Sequence, residues 1–280
     1  MAFDMTHFPG KKIALLALPA LFAWVGCKEK PLSVPDSSVG KRKVLVEELT
    51  GVDCANCPKG PQELDALSKI YGKNLVAVAI HAGARGSFNK QLPGAAYNFN
   101  TDELEELVAA IGEPSLFPSA AINRQEANGD PSLFYEQPWG GLVALELGQD
   151  HNVGLFLENK YDSETRQVEV EVRIAPEADL SGGHNLTVYM VQDSIVDPQN
   201  VFGTLTPNYV HRHVLRKVLT NVAGDGIDEP LTKGAVVTRT FSYTLPADFD
   251  VLHGYVVAFI HRNGNPDKEV LQVEEKHIIE

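Results

Sequence analysis

Residues Gly51 to Gly60 read GVDCANCPKG, with Cys54 and Cys57 three positions apart and Pro58 directly behind the second. Such a pair serves three chemistries: a working dithiol, a static disulfide, or half of a zinc site. At a helix start the first sulfur lies beside free backbone N–H groups and the positive helix end. That favours thiolate over thiol and makes Cys54 the nucleophile. Cys57, one helical turn on, is close enough to resolve a mixed disulfide. Pro58 fits because a first helical turn needs no N–H donor there. Asp53 works the other way, since a carboxylate beside Cys54 disfavours the thiolate. Zinc is the weakest of the three, because a structural site usually takes four Cys or His ligands. No metal and no cofactor are expected.

The elements around the pair must hold it at that helix start. KVLVEELT (Lys43 to Thr50) reads as a buried strand leading into the cysteines. PKGPQELDALSKIYG follows as a helix, with Leu64, Leu67 and Tyr71 at helical spacing and Gly72 as its stop. NLVAVAIH is a second buried strand. NTDELEELVAAIG is a second helix, capped by Asn100 with Glu103 three residues on. PSLFPSAAINR brings a proline and a short strand, and PWGGLVALELGQ is helical after Pro138. Strands alternating with helices indicate an α/β layer. The order strand, CxxC, helix, strand, helix, proline, strand resembles that of thioredoxin-like domains. That likeness implies two further site positions. Glu48, six residues before Cys54, matches a buried carboxylate that exchanges a proton with the second cysteine, and Pro118 matches a cis-proline facing the pair. A final strand of such a sheet is hard to find between Arg124 and Pro138. Glu47 is expected on the strand face opposite Glu48. His81, ending the second strand, reads as a strand cap.

The front end is separate from the fold. Lys11 and Lys12 precede an apolar run from Ile13 to Val25, too short for a bilayer that needs about 20 residues. It has the layout of an export signal, and its end, AWVGC, resembles a bacterial lipoprotein signal. Residues 1–26 are therefore expected to be a signal peptide and Cys27 the lipid attachment site. Three cysteines then divide without remainder, one for lipid and two for the pair. Residues 27–43 read as a polar, Pro- and Ser-containing tether, able to reach roughly 50 Å when stretched.

A net charge of −13 argues against nucleic acid or an anionic membrane surface as a partner. Residues 44–150 form the expected α/β domain. From His151 the texture changes to strands: QVEVEVRI alternates strictly, and NVGLFLEN, NLTVYMVQD, AVVTRTFSYTL, GYVVAFIHR and KEVLQVEE are others. Residues 151–280 are therefore expected to be a β-sandwich, with long connections from Asp193 to Asn208 and from Asn221 to Gly234. NYVHRHVLRKVL is ambiguous. As a strand it puts His211 and His213 on one face with Tyr209; as a helix it lines Val210, Val214 and Val218 along one side. No third ligand accompanies the two histidines, and their ordinary reading is a polar seam.

VLVEELTGVDCANCPKG, FPSAAINR, HRHVLR and the closing YVVAFIHRNGNPDKEVLQVEE together resemble the outer membrane protein twenty-eight related lipoproteins of Bacteroidetes-type Gram-negative bacteria. The resemblance implies a thioredoxin-like domain followed by an immunoglobulin-like β-sandwich, anchored by lipid at the cell outer membrane. Two functions follow. One is a tethered thiol–disulfide oxidoreductase acting on exported or outer-membrane proteins, with Cys54 attacking, Cys57 resolving and Glu48 moving a proton. The other is a non-enzymatic binding or assembly module whose CxxC is a structural disulfide. The chain has no second cysteine pair to pass on reducing equivalents, which weighs against the first.

Overall fold

A computed structural model describes residues 41–126, 133–135, 138–264 and 267–279, which belong to one compact unit. The expected signal peptide, Cys27 and the tether up to residue 40 lie outside the described residues.

Valine-rich runs form the inner strands, because β-branched side chains pack well on a pleated surface. β1 (Val44–Leu49) and β2 (Leu75–Ile80) are buried at every residue and pair in parallel, Val44 opposite Leu75. Parallel strands covered on both faces read this way in sequence. Between them, α1 (Lys59–Tyr71) turns Leu64, Leu67 and Tyr71 inward. α2 (Asp102–Ile111) is capped by Thr101, whose hydroxyl accepts from Leu104 N–H at 3.3 Å. The expected cap, Asn100, lies one residue too early and donates its amide to the His81 carbonyl at 3.2 Å. β3 (Ser119–Ile122) runs antiparallel to β1, and the two-residue β4 (Leu133–Phe134) borders it. α3 (Trp139–Leu147) follows.

From residue 151 the elements are strands and one short 3-10 turn: β5 (Val153–Asp162), β6 (Gln167–Pro176), β7 (His184–Gln192), β8 (Ile195–Val201), β9 (Thr204–His211), β10 (Val214–Val218), β11 (Asp225–Gly226), β12 (Val237–Thr244), β13 (Gly254–Arg262) and β14 (Val270–His277). The alternation in β6 holds, with Val168, Val170, Val172 and Ile174 buried and Glu169, Glu171 and Arg173 exposed. The stretch from Asp193 to Asn208 is not a plain connection. It holds most of a hairpin, β8 against β9. Pro198 and Pro207 disguise it, since proline cannot donate to a ladder. Pro198 sits in a bulge between Asp197 and Gln199. Phe202 and Gly203 make the tight turn at φ of 51° and 88°, as two-residue hairpin loops demand. NYVHRHVLRKVL is extended, but β9 ends at His211 and the chain turns at His213, where φ is 52°. The alternation that would align His211 with His213 is broken there.

The result is mostly β, with mixed sheets and few helices. One sheet of nine strands runs β14-β13-β7-β10-β2-β1-β3-β4, with β11 paired to β7. It takes strands from both sides of residue 150, and these meet where β10 touches β2 through the single pair Val214 and Ala79. A second sheet, β12-β6-β5, packs its valines against Leu186, Val188 and Met190 of β7. α2 packs Leu104, Leu107 and Val108 on Leu45, Val76 and Val78, while α1 and α3 cover Val44 and Val46 on the other face.

The seam between β10 and β2 is crossed by a buried polar knot. Glu47 on β1, with no exposure, takes two hydrogen bonds from Arg124 at 2.8 and 2.9 Å and one from the Tyr189 hydroxyl on β7 at 2.9 Å. Burial pulls the Arg124 pKa down, but the Glu47 charge and hydrogen bonds more than offset it, and the guanidinium stays charged. Arg42 and Lys43, expected in the tether, are fastened to the body. Arg42 is buried against Glu146 and Glu269, and the Lys43 N–H donates to the Gln272 side chain at 2.8 Å.

Removing one partner of such a pair strands a charge. Arg124→Leu should lower unfolding free energy by roughly 3–5 kcal/mol, and the double change Glu47→Leu/Arg124→Leu should recover most of that. Denaturant unfolding measures both, and equal losses in single and double variants would contradict the knot.

Candidate functional site

β1 delivers the chain to the cysteine turn. Gly51 is required there, because a Cβ would lie 2.4 Å from the Phe88 carbonyl oxygen. The turn is held by Cys54 N–H to Gly51 O at 3.2 Å and Cys57 N–H to Cys54 O at 3.1 Å. Cys54 and Cys57 are joined as a disulfide, with Cα atoms 5.3 Å apart. Cys57 directly precedes Pro58, the N-cap of α1. The Phe117–Pro118 bond is cis. Ser119 pairs with Leu49, so Pro118 enters β3 at the sheet end from which the cysteine turn leaves. Phe117 packs in the same apolar cluster as both cysteines.

Glu48 follows Glu47 and therefore faces the opposite side. It is 1% exposed, and its Oε1 has no hydrogen-bond partner. The carboxyl lies so close to the start of α1 that a Cβ on Gly60 would sit 2.2 Å from Oε1. Burial pushes the Glu48 pKa up to about 8, against a hydrogen bond with Thr50 that pulls it down. At neutral pH it is mostly the protonated acid. Glu48, Cys57, His81, Tyr209 and His211 line one small cavity. Burial, and then the neighbouring His211, hold His81 well below its ordinary range. Burial lowers His211 to about 4, opposed by its hydrogen bond to the Pro198 carbonyl. Both rings are neutral near pH 7. Their centroids are 5.5 Å apart, and Tyr209 packs on His211 at 4.9 Å. His81 is thus a member of the cavity wall, not merely the end of a strand.

Both cysteines are buried: Cys54 is 4% and Cys57 2% exposed. The β8–β9 hairpin is bonded along the cysteine turn. Asn200 N–H donates to Val52 O at 2.8 Å, and Phe202 N–H to Ala55 O at 2.9 Å. The buried Gln199 side chain donates to Gly51 O at 3.1 Å and Cys54 O at 3.4 Å. The Asn200 amide reaches Asp53 Oδ1 at 3.3 Å. Left-handed residues mark both ends of the hairpin, Ser194 at φ 58° and His213 at φ 52°. Asp193 clamps that base, accepting from Arg212 at 3.0 Å and from His213 N–H at 3.3 Å.

The structure thus brings together Cys54, Cys57 and Glu48, and sets Pro118 at the same sheet end. The sequence reading missed the contribution of Gln199, Asn200, Tyr209 and His211. They arrive from some 150 residues away, and only the strand reading of NYVHRHVLRKVL, with Tyr209 and His211 in a polar seam, pointed towards part of the element that carries them. Among the described residues no three His, Cys, Asp or Glu side chains converge as metal ligands, and no helix is long and apolar enough to cross a membrane. A larger polar recess of about 320 Å³ lies elsewhere, against Arg42, His184 and Arg262. Both arginines there are engaged by Glu269.

Residues 108–280 match the family described as outer membrane protein Omp28. HBP35 of Porphyromonas gingivalis is similar in structure: 18% identity, 85% of this chain and 76% of that one, TM-score 0.69. So is a protein of Agrobacterium tumefaciens, at 18% identity over 86% and 96% of the two chains, TM-score 0.54. A domain of the outer membrane lipoprotein Omp28 of Porphyromonas gingivalis covers 45% of this chain and 88% of its own at 19% identity, with a loose TM-score of 0.33. At these identities the likeness concerns fold alone. No curated protein matches the sequence.

Two measurements follow from the site. Below about pH 4.5 folded and unfolded chains both hold the Glu48 proton. As pH rises towards 8 only the unfolded chain releases it, so stability falls by up to about 1.4 kcal/mol per pH unit. Glu48→Gln should therefore match the unaltered protein near pH 4.5 and exceed it by roughly 3–5 kcal/mol at pH 8 in urea unfolding; a difference independent of pH would count against a neutral buried Glu48. Gln199→Ala with Asn200→Ala removes side-chain bonds of about 1 kcal/mol each. Reduction of the disulfide by a small dithiol should then speed up roughly ten- to hundredfold, read by alkylation of the freed thiols. An unchanged rate would mean that the hairpin does not limit access.

Proposed function

We propose that this chain, which belongs to the Omp28 family of outer membrane proteins, exchanges disulfides with exported or outer-membrane proteins through Cys54 and Cys57. Its place is the outer membrane. The observation that carries the chemistry is the buried, largely protonated Glu48, with Oε1 unbonded, opening onto the same cavity as Cys57. A buried polar group without a partner is costly, and strongly displaced acids gather at reactive sites.

In this reading a substrate thiolate attacks Cys54 Sγ. A substrate–Cys54 disulfide forms, the Cys54–Cys57 bond breaks, and the electron pair leaves on Cys57 Sγ. Glu48 gives that thiolate its proton and becomes a carboxylate. In the reverse direction Glu48 takes the proton back and Cys57 resolves the mixed disulfide. Residues 44–150 are the thioredoxin-like part, with Pro118 beside the pair. Residues 151–280 are the immunoglobulin-like sandwich part, joined to it through the shared sheet. The hairpin must lift before any protein reaches Cys54. Val196, Phe202, Leu205 and Val210 stand exposed on it, apolar side chains of the kind that mark contact with other proteins. Lipid on Cys27 and the polar tether would hold the body near the membrane.

The burial of both sulfurs favours a second reading, a structural disulfide in a binding or assembly module. Cys57→Ala discriminates. Under exchange it accumulates mixed disulfides through Cys54 in cells, visible as reductant-sensitive adducts that vanish when Cys54 is also replaced. If no adduct forms, and Cys54→Ser/Cys57→Ser loses stability while the cells keep their phenotype, the staple reading stands instead.

A further inference from the structure

Three side-chain atoms of the cysteine site share an oddity. Glu48 Oε1, His81 Nδ1 and His211 Nε2 are each buried and each lack a hydrogen-bond partner. They belong to three elements distant in sequence, β1, the end of β2 and β9, yet all three residues line the one cavity beside Cys57. Buried polar groups are rarely left unsatisfied singly; three around one void are a set.

We propose that the three hold a single water molecule, and that His81 and His211 act through it as positioning residues that set the proton affinity of Glu48. The inference deepens the exchange reading, since it says what governs the acid of that reaction. Its size fits: the cavity leaves about 10 Å³ for the centre of a water, which is about one molecule. Its bonding fits too. His211 already donates its other ring nitrogen to the Pro198 carbonyl, so Nε2 carries a lone pair and accepts. Water then donates one hydrogen to His211 Nε2 and one to Glu48 Oε1, and accepts from His81 in its Nδ1–H tautomer. That makes three bonds, the usual number for a buried water.

The other groups facing the cavity leave this role open. The Thr50 hydroxyl bonds Glu48 directly. The Tyr209 phenol, pushed up to about 12 by burial and then by Glu48 and Asp65, keeps its proton. Arg212 is drawn away to Asp193. Gln199 spends its amide on backbone carbonyls. Cys57 is held in the disulfide.

The test is the titration of Glu48 in the full chain, followed by carboxyl carbon NMR and assigned by its loss in Glu48→Gln. His211→Phe keeps a ring against Phe99 and Tyr209 but offers no acceptor. The water loses its anchor, the carboxylate loses its donor, and the Glu48 midpoint should rise by about one pH unit. His211→Gln, which returns an acceptor, should bring it back. An unmoved midpoint in His211→Phe overturns the inference, as does a shift that His211→Gln fails to reverse. Should His211→Phe not fold, an atomic-resolution crystal structure of the unaltered protein decides: a water bonded to all three atoms supports the site, and a dry cavity overturns it. Trapping through Cys54 is a separate readout. A shifted midpoint without trapping removes the exchange reading and keeps the water; trapping with an unmoved midpoint does the reverse.

Discussion

Two consecutive carboxylates on one buried strand set the terms for the rest of the molecule. A strand alternates its side chains, so Glu47 and Glu48 must point to opposite faces, and both faces of β1 are covered. Neither carboxylate reaches bulk solvent. Glu47 meets Arg124 and Tyr189, and both of its oxygens are bonded. Glu48 meets no cation, and its remedy is to keep its proton. Identical chemistry at adjacent positions therefore gives a structural knot on one side and a buried, largely protonated acid on the other. The difference lies in what each face receives from elsewhere in the chain.

What Glu47 receives binds the sheet together. β10 and β2 share only one bridged pair, a weak join for a sheet of nine strands. Arg124, Glu47 and Tyr189 cross that join from β1 to β7, and the Arg124 guanidinium stacks 4.8 Å from the Phe259 ring of β13. At the other end, Val270 N–H donates to Asn123 O at 2.9 Å, and Arg42 ties Glu146 to Glu269. The late strands are thus fastened to the early ones by buried polar contacts at several points. The cysteine turn hangs from β1 and inherits that rigidity.

Much of this was legible in the residues, and the failures have physical causes. The strands that read clearly were those with one wet face, such as β6, or with continuous valine runs, such as β1 and β2, because burial alone writes those patterns. The proximity of Cys54 and Cys57 was visible in a local motif, and the carboxylate six residues earlier was visible through the thioredoxin-like resemblance. The hairpin was not, because Pro198 and Pro207 break the ladder pattern that marks a strand. Nor was the meeting of His81 with His211 in one cavity wall. A buried neutral histidine leaves no periodic trace, and contact between residues 130 positions apart is written in no local window. The position of Arg42 escaped for a similar reason: beside Pro- and Ser-containing chain it looked like tether, yet its partners come from α3 and the start of β14.

The same hairpin is bonded along the cysteine turn and supplies Tyr209 and His211 to the cavity of Glu48, and this couples two properties that are usually considered apart. Local segments open at a fraction of the global cost when few contacts hold them. Here the contacts over the cysteine turn are a handful of hydrogen bonds, and the base turns at two left-handed residues, Ser194 and His213. Any opening that exposes Cys54 also takes one wall from the cavity and lets solvent reach Glu48. Burial is the largest cause of its high proton affinity, so that affinity must fall as the hairpin lifts. Access to the disulfide and release of the Glu48 proton are therefore linked by geometry: the closed form holds the acid protonated beside a sealed bond, and the open form offers the bond with an acid readier to give its proton away.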